Sequence, residues 1–168
     1  MTGPAFVTRR PHMPGYGLVG ADDGSGLLPW SWADAHLRDS HDYWLATVDA
    51  AGAPHVMPVW GVWDGAMLWL SSALGSRKAR NLAQDPRATM TTDRPHEPVV
   101  VEGIVERSLD DAEIASFLRG MNVKYEVEYD MDFLDPEVNG TYGLRPRRVF
   151  GLVEADFTGS PTCWERAQ

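Results

Sequence analysis

This chain of 168 residues is short of several things at once, and each shortage removes a class of function. It has one cysteine, Cys163, so no disulfide can form within the chain and a reducing compartment suits it. Positive charge is scarce: 15 Lys and Arg stand against 24 Asp and Glu, for a net charge of −9. A nucleic-acid surface needs a basic footprint to neutralise phosphates, so no nucleic-acid partner is expected. No apolar run approaches the ~20 residues of a membrane span. Nor does an apolar stretch follow Arg9 and Arg10, as a secretion signal requires. A cytoplasmic protein with no membrane partner is expected. The histidines His12, His36, His41, His55 and His96 fall in no metal-ligand spacing, so no metal is expected. There is no G-x-S-x-G nucleophile elbow, and Cys163, two residues after Pro161, lacks the rigid support a nucleophile needs.

What is present reads as one domain behind an arm. Residues 1–29 hold much of the Gly and Pro and are expected to be an irregular arm folded over the rest, residues 30–168, or over a neighbouring subunit. Gly15-Tyr-Gly17-Leu-Val-Gly20 matches G-x-G-x-x-G, but a dinucleotide loop needs a strand before it and a helix after it. Pro11 and Pro14 break the first, and Ala21 to Gly26 cannot open the second. A capping-box start at Ser31 to Asp34 predicts a short helix to about Ser40. Asp42 to Val48 alternates as a strand, with Tyr43, Leu45 and Thr47 on one face. Ala88 to Thr92, Val99 to Arg107 and Arg147 to Glu154 read as further strands. Asp110 to Glu113 opens a helix through Ile114, Phe117, Leu118 and Val123. Glu126 to Gly140 carries six acidic side chains and Pro136 and reads as an exposed loop, with Tyr129, Met131 and Phe133 at a substrate entrance.

Pro54 to Leu82 is the most informative run. Val56 to Trp63 and Met67 to Ser71 are rich in β-branched and aromatic residues, and Asp64-Gly65 between them signals a hairpin. Ser71, Ser72, Gly75 and Ser76 follow, then Arg77-Lys78-Ala-Arg80-Asn-Leu82 as a short helix capped by Ser76. Free N–H groups at a helix start, with hydroxyls and cations beside them, suit a phosphate. Cations in such a chain are not background: Lys78 and Lys124 are the only lysines.

This run resembles the flavin- and deazaflavin-binding split β-barrels of the pyridoxamine 5′-phosphate oxidase type, whose members carry Ser-Arg-Lys at the cofactor phosphate. The matching residues are Ser76, Arg77 and Lys78, with Ser72 at the preceding strand end. Tyr43 to Trp60 looks like the family's opening hairpin, whose second strand lies along the cofactor ring. The tail is similar to a family ending of Thr-Arg-Trp, here Thr162-Cys163-Trp164, without the arginine. The resemblance implies a mainly β, split-barrel fold with a few short helices and a homodimer. It also implies an oxidoreductase acting on a small organic substrate through a phosphate-bearing flavin-type cofactor, coenzyme F420 ahead of FMN. Ser72, Ser76, Arg77 and Lys78 would hold the phosphate, Met57, Pro58, Val59 and Trp60 would border the ring, and Trp164 would close the site from the other subunit. No catalytic acid or base is identified. The alternative is a carrier or sensor module of the same fold without turnover.

Overall fold

The computed structural model describes residues 6–166. Residues 1–5 of the arm and 167–168 of the tail lie outside the described residues. Among the described residues nine strands and three α-helices occur in the order β1 (Phe6–Arg9), α1 (Trp30–Asp39), β2 (Asp42–Val48), β3 (Pro54–Trp60), β4 (Val62–Trp63), β5 (Leu68–Ala73), α2 (Arg77–Gln84), β6 (Arg87–Thr92), β7 (Val99–Ser108), α3 (Asp111–Tyr125), β8 (Asn139–Gly151) and β9 (Thr162–Arg166). Short 3-10 turns sit at Met131–Leu134 and Glu154–Asp156.

All pairings are antiparallel, in the order β1-β9-β8-β7-β6-β2-β3, while β5 lies along the first half of β8 and carries β4. β3 runs into β4 through the single residue Gly61, so one stretch of chain pairs first with β2 and then with β5. That hand-over curls the sheet into a barrel, and it needs glycine. A Cβ at Gly61 would stand 2.8 Å from the Tyr43 ring and 3.1 Å from the Trp69 carbonyl. Among the described residues β3 has β2 on one side and no strand on the other, which is the split in the barrel. At Glu102/Gly103 the β7–β8 register shifts around a bulge, where a Cβ on Gly103 would come within 2.1 Å of the Arg145 carbonyl oxygen.

Inside the barrel Tyr43, Leu45, Leu68, Leu70, Met90, Val99, Val101, Leu144 and Val149 form the main core, closed at one end by Leu37 of α1 and at another by Ala79 and Leu82 of α2. Alternation along β5 sends Leu68 and Leu70 inward and Trp69 outward, where Trp69 meets Ile114, Phe117, Leu118 and Met121 of α3 in a second cluster. The helix period in α3 is sound, but Val123 is 82% exposed and does not belong to the apolar stripe. Asp110 caps α3, accepting from the Ala112 and Glu113 N–H groups.

Four expectations are corrected. The arm is not irregular throughout: Phe6–Arg9 pairs with β9, because the β8–β9 edge offers free hydrogen-bonding groups. α1 starts at Trp30 with Pro29 at its cap and no capping side chain, so Ser31 opens no capping box. Of the last strand expected at Arg147 to Glu154, Leu152 to Glu154 lie outside and Arg147 to Gly151 form the end of the longer β8, which starts at Asn139 inside the segment read as a loop. β5 and β7 both pair with that first half, a tertiary cause invisible to local pattern. Finally, Trp164 is fully buried in its own chain's core, edge-on to Trp30 at 5.8 Å. It has no face to offer a cofactor or second subunit, since β9 is an internal strand between β1 and β8. Its indole nitrogen has no hydrogen-bond partner among the described residues.

Candidate functional site

The end of β5 and the start of α2 bring the expected phosphate residues together. Ser76 is the N-cap of α2, its backbone extended and its hydroxyl accepting from the Ala79 N–H at 3.1 Å. Ser72, buried on β5, shares a 2.8 Å hydrogen bond with the Ser76 hydroxyl. A turn closed by the Ser76 N–H to the Ala73 carbonyl at 3.0 Å sets this geometry. Lys78, in the first helical turn, is half-buried and makes no ion pair among the described residues. A cation there opposes the helix dipole. Arg77 differs: its guanidinium reaches Asp49 at 3.2 Å. Asp49 lies below the usual carboxylate range, chiefly because the Ala53 N–H donates to it, with the Ala51 N–H and Arg77 adding to the effect.

Across the split, β3 presents alternate residues to alternate faces. Val59 lies opposite Tyr43 in the core. Met57, opposite Leu45, points the same way yet is 42% exposed, because no strand covers that side of β3. Pro58 and Trp60 lie on the outer face with Val56, and Trp44 of β2 stands opposite Pro58. Trp44, Val56 and Trp60 together leave an apolar surface beside the split. His55, opposite Thr47, has a buried Nδ1 with no partner among the described residues. Asn81 of α2 donates to Thr47 at 3.0 Å. A polar line thus runs from His55 of β3 past Thr47 of β2 to Asn81 of α2. An orphaned ring nitrogen, an unpaired lysine and a serine pair bonded to each other fit an incoming anion.

At the other end of β3 lies a cluster that sequence reasoning missed. The last turn of α3 holds both backbone groups of Gly61: its N–H donates to the Tyr125 hydroxyl at 2.7 Å, and its carbonyl accepts from Lys124 Nζ at 2.7 Å. The Tyr125 hydroxyl donates to the His41 carbonyl at 2.6 Å. Lys124 also reaches the Tyr43 hydroxyl at 3.2 Å and lies 4.6 Å from that ring's centre. Burial pushes Lys124 down to about 8, against the pull of Asp42 and Asp93, and pushes Tyr125 up to about 12. Lys124 is one of only two lysines in the chain, the one signal that could have drawn attention to it. Tyr129 and Phe133, stacked at 4.1 Å, remain partly exposed beside α3, which Tyr129 joins through Asn122.

An antiparallel barrel with one split, an anion-ready helix start on one side and an open apolar strand on the other define a split-barrel protein of the flavin-binding type. The family profile described as pyridoxamine 5′-phosphate oxidase matches residues 33–153, and the chain belongs to that family, which includes oxidoreductases. No curated protein sequence matches it. Among solved structures it is similar to an F420 reductase, with 27% identity over 69% of this chain and 94% of that one and a TM-score of 0.58. A conserved hypothetical protein from Mycobacterium tuberculosis shows 25% identity over 73% and 82%, with a TM-score of 0.60. A heme binding protein from Mycobacterium smegmatis, 22% identical over 79% and 62% with a TM-score of 0.55, shares the fold alone. No helix among the described residues is long and apolar enough to cross a membrane, and no cluster of metal-ligating side chains occurs among them.

Proposed function

We propose that this protein is an oxidoreductase that binds a phosphate-bearing flavin-type cofactor in the split, coenzyme F420 ahead of FMN, and moves hydride to or from a small organic substrate. The observation that carries the reading is the bonded Ser72–Ser76 pair beside the uncompensated Lys78, at the start of a helix packed on β2 and β5. Similarity to an F420 reductase supports the preference for F420. The cofactor, when bound, supplies the hydride chemistry.

The chain's own residues bind, orient and exclude water. Ser72, Ser76 and Lys78 hold the phosphate, with Arg77 joining them if its exposed pair with Asp49 opens. Met57 and Pro58 border the ring by apolar and backbone contact, Trp60 walls its far end, and Val59 supports the strand from the core. The exposed surface of Trp44, Val56 and Trp60 is the contact between two copies in a homodimer, which covers the split and dries the site.

An absorbance scan of the purified protein, then titration with FMN and with F420, tests this reading. Saturable binding of either, abolished by Ser76→Ala with Lys78→Ala, is expected. Failure to bind both would refute it.

A further inference from the structure

A second recess lies between α2 and the strands β7 and β8. It encloses about 230 Å³ and is lined by Leu74, Leu82, Val105 and Tyr142 together with Arg80 and Arg107. It occupies a different side of α2 from the polar line above. Asn81 turns to β2 through Thr47, while Arg80, ~100° round the helix, lines this hollow.

Its two cations are not balanced by carboxylates among the described residues. Six arginines pair with carboxylates: Arg9 with Glu165, Arg38 with Asp34, Arg77 with Asp49, Arg87 with Asp85, Arg145 with Glu106 and Arg148 with Glu102. Arg80 and Arg107 are among the arginines that do not, and they are the two that line this recess. They donate to the backbone carbonyls of Gly75 and Pro136 and have no carboxylate partner among the described residues. A guanidinium carries five N–H donors in a planar fork, so most of theirs stay available. The Tyr142 hydroxyl makes no hydrogen bond among the described residues, and it shares the hollow with the buried Leu82 and Val105. Two guanidiniums without counter-ions, beside a free hydroxyl and an apolar floor, are an unbalanced set in a protein of net charge −9.

We propose that this recess binds a small amphiphilic carboxylate. Arg80 and Arg107 take the head group, the Tyr142 hydroxyl donates to it, and Leu74, Leu82 and Val105 cover a short hydrocarbon body. The fork of arginine matches a carboxylate in two-point contact. The apolar floor favours a head group with a carbon chain over bare inorganic phosphate. The volume, below the ~300 Å³ where drug-sized sites begin, limits the chain to a few carbons.

Titration calorimetry with hexanoate, hexanamide and inorganic phosphate tests this on the wild type, Arg107→Gln and Tyr142→Phe. Hexanoate should bind at least about tenfold more tightly than the other two, a difference of ~1.4 kcal/mol. Arg107→Gln should weaken it about tenfold and Tyr142→Phe about threefold, with saturating FMN or F420 leaving it unchanged. Equal binding of hexanoate and hexanamide, or unchanged affinity in both variants, overturns the proposal. So does loss of hexanoate binding when the cofactor is added, which would make the recess part of the cofactor's own site. If Arg107→Gln does not fold, Tyr142→Phe, which removes a single oxygen, decides the matter.

Discussion

Trp60 and Tyr125 lie ring on ring, their centres 4.2 Å apart and their planes within 7°. One ends β3 and the other ends α3, 65 residues further along, so the pair ties a barrel strand to a helix outside the barrel. The Tyr125 hydroxyl then bonds Gly61 and His41. Tyr125→Phe keeps the stack and leaves the Gly61 N–H without its partner. It should destabilise the protein by about 1–3 kcal/mol, the cost of an unsatisfied buried donor, as read by urea unfolding. In the proposed site it should also loosen Trp60 and raise the substrate KM more than it lowers cofactor affinity.

Lys124 should make stability depend on pH in a defined window. Its amine is pushed down to about 8 from an ordinary 10.5. Between those values the unfolded chain holds a proton that the folded chain has released, so stability rises with pH. Above pH 10 the sign reverses. Unfolded tyrosines ionise while Tyr43, raised by burial, and Tyr125, at about 12, keep their protons. Urea unfolding of wild type and Lys124→Met from pH 7 to 10 isolates the lysine. The difference should move in favour of the wild type as pH rises, and a constant difference would show that the amine is not perturbed.

Lys78→Ala should weaken cofactor binding about tenfold or more, the ~1.5–3 kcal/mol of a lost charged hydrogen bond. The cofactor-free protein should unfold at the same temperature or slightly higher, because the cation opposes the helix dipole and has no ion pair to lose. Calorimetric titration with unfolding curves of both apo forms checks the two halves. A large loss of apo stability would make Lys78 structural.

Trp164→Phe should behave as a core substitution. Its ring fills the space between Trp30 and Gly151, so stability should fall by about 1–3 kcal/mol, with cofactor affinity unchanged within about threefold. An affinity loss without a stability loss would return Trp164 to the cofactor site.

Light scattering at micromolar concentration should give twice the 18.6 kDa chain mass. Trp44→Glu, which puts a charge among exposed Trp60 and Val56, should give the single mass without unfolding the barrel. A wild-type monomer would remove the shared surface from the proposed site.

The features that the sequence by itself determined are those whose cause is local. Asp64 accepts from the Ala66 and Met67 N–H groups and Gly65 has a positive φ, so a turn forms where Asp-Gly signalled one, although Gly65 and Ala66 rather than Asp64 and Gly65 are its central residues. Ser76 caps α2 and Asp110 caps α3 through bonds spanning two or three residues. The inward set of Tyr43, Leu45 and Thr47 follows from strand alternation alone. G-x-G-x-x-G at Gly15 to Gly20 lies in neither strand nor helix, as its flanking prolines dictated. Tertiary structure alone decided the rest, because the causes sit far apart in the chain. Asn139 to Arg145 became strand against acidic and proline neighbours because β5 pairs with Asn139 to Leu144 and β7 with Thr141 to Arg145. Phe6 to Arg9 became strand because β9 had a free edge. Trp164, which by motif pointed toward a cofactor, was drawn into the core beside Trp30. Lys124 acquired its altered chemistry only where α3 returned to meet Gly61, 63 residues away in sequence. Burial and pairing across such distances set these outcomes, and no window of neighbouring residues contains them.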